Sequence, residues 1–221
     1  MLGRTLLLVL LLATPVLASA SALTERLTPR DEASQDASFE AFRNKLKVIV
    51  ANKDVAGLKK CLAADITNNF GGGRGLADFN KVWRLQDRAS PLWSALSTVL
   101  KLGGNFDGKT KFSAPYVYSA WPGDADAFNF VAVVESNAVL RKAPQAEAAP
   151  VRKLDYDLLE VINSRSMPQH EAGPNDWDEV KDAKGQRGFI LVRDVRSPID
   201  YRAIFEKRNG NWVLAAFVSG D

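Results

Sequence analysis

At Phe112 the hydrophobic pattern of the chain changes period, and this change restricts the fold more than any other feature. Before it, apolar residues recur at helical spacing. Phe39, Phe42, Leu46, Ile49 and Val50 form the first stripe, with Ser38 as a cap and Glu40 in the opening turn. Asp54 caps a second helix ahead of Val55, Leu58, Cys61 and Leu62, and Leu76, Phe79 and Trp83 share a third. Ser90-Pro91 opens a fourth, with Leu92, Leu96, Val99 and Leu100 on one face and Gly103 as its stop. After Phe112 come short runs between turn signals: 112–121, 128–134, 138–141, 151–154, 158–162, 177–180, 188–192, 199–207 and 212–219. The last two flank Asn209-Gly210, a two-residue hairpin signal. Helices followed by strands predict an α+β protein.

One His and one Cys among 221 residues bear hardest on chemistry. Zinc sites draw on several such ligands, and a single Cys closes no disulfide within the chain. His170 sits among Pro168, Gly173 and Pro174, which mark a surface loop, and no G-x-S-x-G elbow accompanies it. Cys61 shares an apolar stripe with Leu58 and Leu62, the setting of a packed thiol rather than a reactive one. The run Gly71-Gly72-Gly73-Arg74-Gly75 has neither the Lys-Ser/Thr of a phosphate loop nor the glycine spacing of a dinucleotide fingerprint, and reads as a permissive turn. Asp107, Asp124 and Asp126 lack the spacing, central Gly and closing Glu of a calcium loop. The expectation is no catalytic residue, no metal and no cofactor. A net charge of +3 from 29 basic and 26 acidic side chains leaves no nucleic-acid footprint.

Residues 1–20 have the form of a signal peptide: Arg4 in the n-region, an apolar run from Leu6 to Leu17, and Ala18-Ser19-Ala20 as an A-x-A cleavage site. The run falls short of the ~20 apolar residues of a spanning helix, so no stable membrane span is expected after cleavage. Cleavage after Ala20 predicts a periplasmic or secreted protein, in which residues 21–37 form a flexible polar leader.

Residues 131–196 resemble a bacterial SH3-like (SH3b) domain. Asn137-Ala138-Val139-Leu140-Arg141 with Pro144 corresponds to the family's N-V-R-x-x-P opening, and Val151, Leu154 and 158–161 to the strands that follow. Trp177, Val180 and Gly185 correspond to its W-x-x-V…G segment, and Gly188-Phe189-Ile190 to its G-[WFY]-V strand. Two departures stand out: Asp155-Tyr156-Asp157 replaces a usual glycine, and the loop 163–176 is long. The resemblance implies a small β-barrel with an aromatic-lined groove for extended chains. It implies Trp177, Tyr156, Arg141 and Phe189 as ligand contacts, and cell-wall peptide or a protein partner as ligand.

A looser similarity links F-x-x-F…N-K-D-V-x-x-L within 39–62, and the hairpin from Phe205 to Trp212, to the nuclear transport factor 2-like (cystatin-like, SnoaL-type) cone. It implies that 38–130 plus 197–221 form one α+β domain, with N-terminal helices and a C-terminal β-hairpin, into which the SH3-like barrel is inserted. Small-molecule isomerases of that fold place an Asp or Tyr in an apolar cavity. By that resemblance Tyr116, Tyr118, Trp121, Asp200 and Arg202 would line a pocket, with Asp200 and Arg202 on one face of an alternating strand. A surface salt bridge or a domain-interface pair explains Asp200 and Arg202 more simply. The first expectation is therefore an exported, non-catalytic binding protein. The alternative is a small-molecule-binding protein or enzyme whose pocket lies between helices 39–100 and the 199–219 hairpin.

Overall fold

The computed structural model describes residues 25–163, 173 and 175–220. The signal-like segment and the His170 loop lie outside the described residues.

Helix α1 (Ala37–Ala51) is capped by Asp36 rather than Ser38. Asp36 is extended, and its carboxylate accepts from the backbone N–H groups of Ser38 at 2.8 Å and Phe39 at 3.0 Å. Asp54 caps α2 (Val55–Cys61) as expected, accepting from the Gly57 N–H. The chain then leaves helix at Leu62, and β1 (Leu62–Thr67) is a strand where the stripe had suggested more helix. Helix α3 spans Gly75–Trp83 and α4 spans Leu92–Lys101. Gly103 ends α4 in the left-handed region at φ +67°, where a side chain would be strained.

Next come β2 (Asn105–Phe106) and β3 (Lys111–Ala114). The strand expected over 112–121 stops at Ala114, because Pro115 has no N–H to continue a ladder. A single turn, α5 (Tyr116–Ser119), follows it, so Tyr116 and Tyr118 stand on a helix instead of a strand. Seven strands then run in close succession: β4 (Phe130–Val133), β5 (Ser136–Arg141), β6 (Pro150–Asp155), β7 (Leu158–Asn163), β8 (Trp177–Lys181), β9 (Arg187–Leu191) and β10 (Val195–Arg196). The hairpin β11 (Arg202–Arg208) and β12 (Asn211–Val218) closes the chain, with Asn209 and Gly210 both at positive φ, as a tight two-residue turn requires.

The strands form two sheets. One has the order β1-β12-β11-β3-β2, antiparallel except for the parallel β1–β12 pair. The other has the order β10-β4-β7-β8-β9-β5-β6 and is antiparallel throughout, with β10 and β6 as open edges. All strands of the second sheet lie between residues 130 and 196, while β3 and β11, on either side of that stretch, are paired neighbours in the first. The molecule is thus α+β, built of helices and two mostly antiparallel sheets.

Helices α1 to α4 pack on the first sheet around Phe39, whose ring centroid lies 4.2 Å from Phe112 and 4.9 Å from Trp212. The second sheet has its own core of Val131, Leu140, Leu154, Leu159, Val180 and Ile190. A third cluster, with Leu27, Tyr116, Val117, Ala132 and Leu158, packs α5 and the segment before α1 against the second sheet. Leu27 corrects the expectation of a flexible leader. In its described part, from Glu25, that segment is packed: the Leu27 N–H donates to the Tyr156 carbonyl and the Leu158 N–H to the Glu25 carbonyl, both at 2.9 Å. Its one strong apolar residue finds a buried slot, and short edge pairing satisfies the polar backbone around it.

Candidate functional site

The second sheet carries an open groove of about 360 Å³ over β8 and β9. Strand alternation builds it. Along β8, Asp178 and Val180 turn inward and are buried, so Trp177 and Glu179 share the outer face. Phe189 of β9 is the direct cross-strand partner of Glu179, which puts it on that same face. Trp177 and Phe189 are only half-buried, each leaving aromatic surface to the groove. Pro144 adds an apolar wall; Asn163, Asn175 and Asp176 supply polar groups at the end of β7 and before β8.

The electrostatics of the lining are one-sided. Among the described residues it contains two carboxylates, Asp176 and Glu179, and no Lys or Arg. Asp176 accepts from the Gly173 N–H at 2.8 Å. Arg193, which lines a separate cleft beside α4, donates its Nη1 to Asn175 Oδ1 at 3.3 Å.

Of the residues that the SH3-like resemblance nominated, Trp177 and Phe189 come together here; Arg141 and Tyr156 do not. Arg141 stands opposite Phe189 across the β5–β9 pair, but its Nη1 donates to the Ala148 carbonyl at 2.8 Å and ties down the loop after β5. Tyr156 lies at the β6–β7 turn, with its carbonyl engaged by Leu27. At φ +57° it takes up the left-handed geometry that a glycine adopts readily. The Asp157 carboxylate holds that turn by accepting from the Asp155 N–H at 2.6 Å. Sequence reasoning missed Glu179, Asn163, Asn175 and Asp176. Glu179 was accessible to it, since residue i+2 on a strand faces the same way as Trp177.

Compared with known proteins, the chain matches no family, no curated protein and no solved structure.

Of the residues of the alternative pocket, Arg202 and Tyr118 meet, and the others lie apart from them. Asp200 precedes β11, so it does not alternate on a strand with Arg202; it pairs with Arg196 at 3.1 Å, both side chains being nearly buried. Arg196 also donates to the Tyr201 carbonyl at 2.6 Å, and burial lowers its pKa against the opposing pull of Asp200. Both line a cleft of about 310 Å³ between α4 and the second sheet, together with Lys101 and Glu135. Arg202 lies instead between the rings of Phe70 and Tyr118, at 5.0 and 4.8 Å from their centroids. Tyr116 is buried in the third cluster, where burial pushes its phenol well above the usual tyrosine range. Trp121 donates its Nε1–H to the Ala125 carbonyl at 2.8 Å. Between the helices and the hairpin, the space that pocket would occupy holds Trp83, Tyr201 and Phe217, with ring centroids 5.1 to 5.3 Å apart.

Cys61 is buried, and burial raises its pKa, the setting of a packed thiol. Among the described residues no helix is long and apolar enough to cross a membrane.

Proposed function

We propose that this is an exported, non-catalytic binding protein whose second sheet is an SH3-like module inserted in the α+β framework, and that its groove binds an extended cell-envelope peptide. The observation that carries the reading is the groove itself: Trp177 and Phe189, side by side on β8 and β9, present half-buried aromatic faces to an open cleft. Such faces recognise extended chains at small entropic cost, because an aromatic ring has few rotamers to lose. Three further features support the module. The β7-β8-β9 meander returns to β5, and a 3-10 turn (Val192–Asp194) precedes the last short strand. The motif residues quoted above follow β5 to β9 in order, apart from Pro144 in the β5–β6 loop and Gly185 in the β8–β9 turn. Export rests on the N-terminal pattern Arg4, apolar run, Ala18-Ser19-Ala20.

Co-sedimentation with purified peptidoglycan tests the binding, with Trp177→Ala as the probe of the groove. The variant should lose most of its retention while keeping its thermal unfolding midpoint within a few degrees, because Trp177 is not a core residue. Retention equal to that of the parent protein would overturn the assignment. N-terminal sequencing of the mature protein tests export; it should begin at Ser21.

A further inference from the structure

Building on the groove reading above, we propose that the groove selects peptides bearing a free primary ammonium group, as on the diamino residue of a cell-wall stem peptide. Trp177 and Glu179 lie two residues apart on one face of β8, roughly 6–7 Å along the strand. An ammonium set between them meets the ring face and the carboxylate together, combining a cation–π contact with a charge-assisted hydrogen bond.

Glu179 is the carboxylate left over in this sheet. Asp157 and Asp182 are both paired with Arg152, and Glu160 is paired with Lys181. The Glu179 side chain has no hydrogen bond or ion pair among the described residues, although it lines a cleft whose walls include Trp177, Phe189 and Pro144. Of the neighbouring cations, Lys181 is paired with Glu160, Arg141 donates to the Ala148 carbonyl, and Arg193 donates to Asn175 and faces Asp194 at 3.8 Å. A neutral or anionic chain entering the groove would further desolvate Glu179 without replacing the lost water, whereas a cationic chain would compensate it. Phe189 and Pro144 would then flank the aliphatic stem of the ammonium-bearing side chain, and the amides of Asn163 and Asn175 are placed to exchange hydrogen bonds with the peptide backbone.

The test compares retention of the purified protein on peptidoglycan sacculi whose stem peptides carry diaminopimelate amines with retention on the same sacculi after N-acetylation of those amines. Acetylation should weaken binding about tenfold, as expected for loss of one partly exposed ion pair with its cation–π contact. Glu179→Gln should bind intact sacculi about tenfold more weakly and be indifferent to acetylation, whereas Glu40→Gln, on α1, should behave as the parent protein. Unchanged retention after acetylation, with Trp177→Ala still impaired, would overturn the ammonium preference and leave the groove reading in place. Parent-like retention by Trp177→Ala would remove the groove reading, and this inference with it. Glu179 is half-exposed on a strand, so its amide variant is expected to fold; a matching thermal unfolding curve verifies that.

Discussion

Asp36 shows how much one side chain can organise. Its carboxylate receives the Ser38 hydroxyl and the Ser38 and Phe39 N–H groups, and it faces Lys207 of β11 at 3.2 Å. Ser38 in turn accepts from Lys207 and from Trp212 Nε1, both at 3.0 Å, so the start of α1 is fastened to the terminal hairpin. The Ser38 hydroxyl, then the Phe39 N–H, pull the Asp36 pKa from 3.8 down to about 2. Because the folded value is the lower one, this stability is fully present above pH ~4 and is lost as the pH falls through about 2. Asp36→Ala should cost about 1 kcal/mol at neutral pH, the usual value of an N-cap. Urea unfolding midpoints of the two proteins should converge between pH 5 and pH 2; a gap of constant size down to pH 2 would exclude Asp36 as the titrating group. Gly188 makes a second residue-scale point. A Cβ there would sit 2.7 Å from the Arg141 carbonyl oxygen and 2.7 Å from Leu140 Cγ, so β9 can cross β5 only without a side chain. Gly188→Ala should cost about 1–3 kcal/mol, read from chemical unfolding, through forced displacement of β5.

At the scale of elements, Arg152 of β6 is the fastener of the second sheet. Its Nη2 lies 2.6 Å from Asp157 in the β6–β7 turn and its Nε 2.7 Å from Asp182 in the β8–β9 turn. Burial opposes ionisation of Asp182, but the Gln186 N–H and the Arg152 guanidinium outweigh it and hold the pKa below the usual carboxylate value. Arg152→Ala would strand two nearly buried carboxylates and should cost about 3 kcal/mol, at the lower end for a broken buried pair because the arginine is itself partly exposed. The triple variant Arg152→Met, Asp157→Asn, Asp182→Asn should recover much of that loss in the same urea titration; an Arg152→Ala variant within experimental error of the parent would refute the fastening role. The elements also show what a sequence reveals. Helices α1 to α4 announced themselves because each has an apolar stripe, bounded in all but α3 by a cap or a stop, and the β11–β12 hairpin because Asn209-Gly210 is a local turn signal. β1 did not, since Leu62–Thr67 is short and its parallel partner β12 lies some 150 residues away in sequence, beyond any local pattern. Aromatic content over 112–121 suggested a long strand, and the backbone chemistry of one residue, Pro115, cut it short. Trp177 and Phe189 share one groove lining, while Arg141 and Tyr156 lie outside it. Neither a guanidinium's choice of a loop carbonyl nor a left-handed turn residue leaves a trace in periodicity.

At the scale of the whole molecule, the segment before α1 does more than its polar composition suggested. It touches the second sheet through Glu25 and Leu27 at the β6–β7 turn. It then reaches the first sheet and its flank, where the Glu32 N–H donates to the Gly104 carbonyl at 2.9 Å and Glu32 Oε2 accepts from the Phe106 N–H at 2.9 Å. Between these points Asp31 pairs with Arg43 of α1 at 2.6 Å, and Leu27 is buried with Tyr116 and Val117 of α5 against Ala132 and Leu158 of the second sheet. The segment is therefore a strap whose two ends lie on different sheets, and it should couple their stabilities. Leu27→Ala should cost about 2–4 kcal/mol, as for other buried leucines. A variant starting at Ala33 loses all of these contacts at once. It should exchange the Leu158 and Phe106 amide hydrogens faster than the parent protein, one amide reporting on each sheet, with a lowered thermal midpoint. Faster exchange at Leu158 alone would mean that the strap only covers an edge of the second sheet and that the first sheet is stable without it.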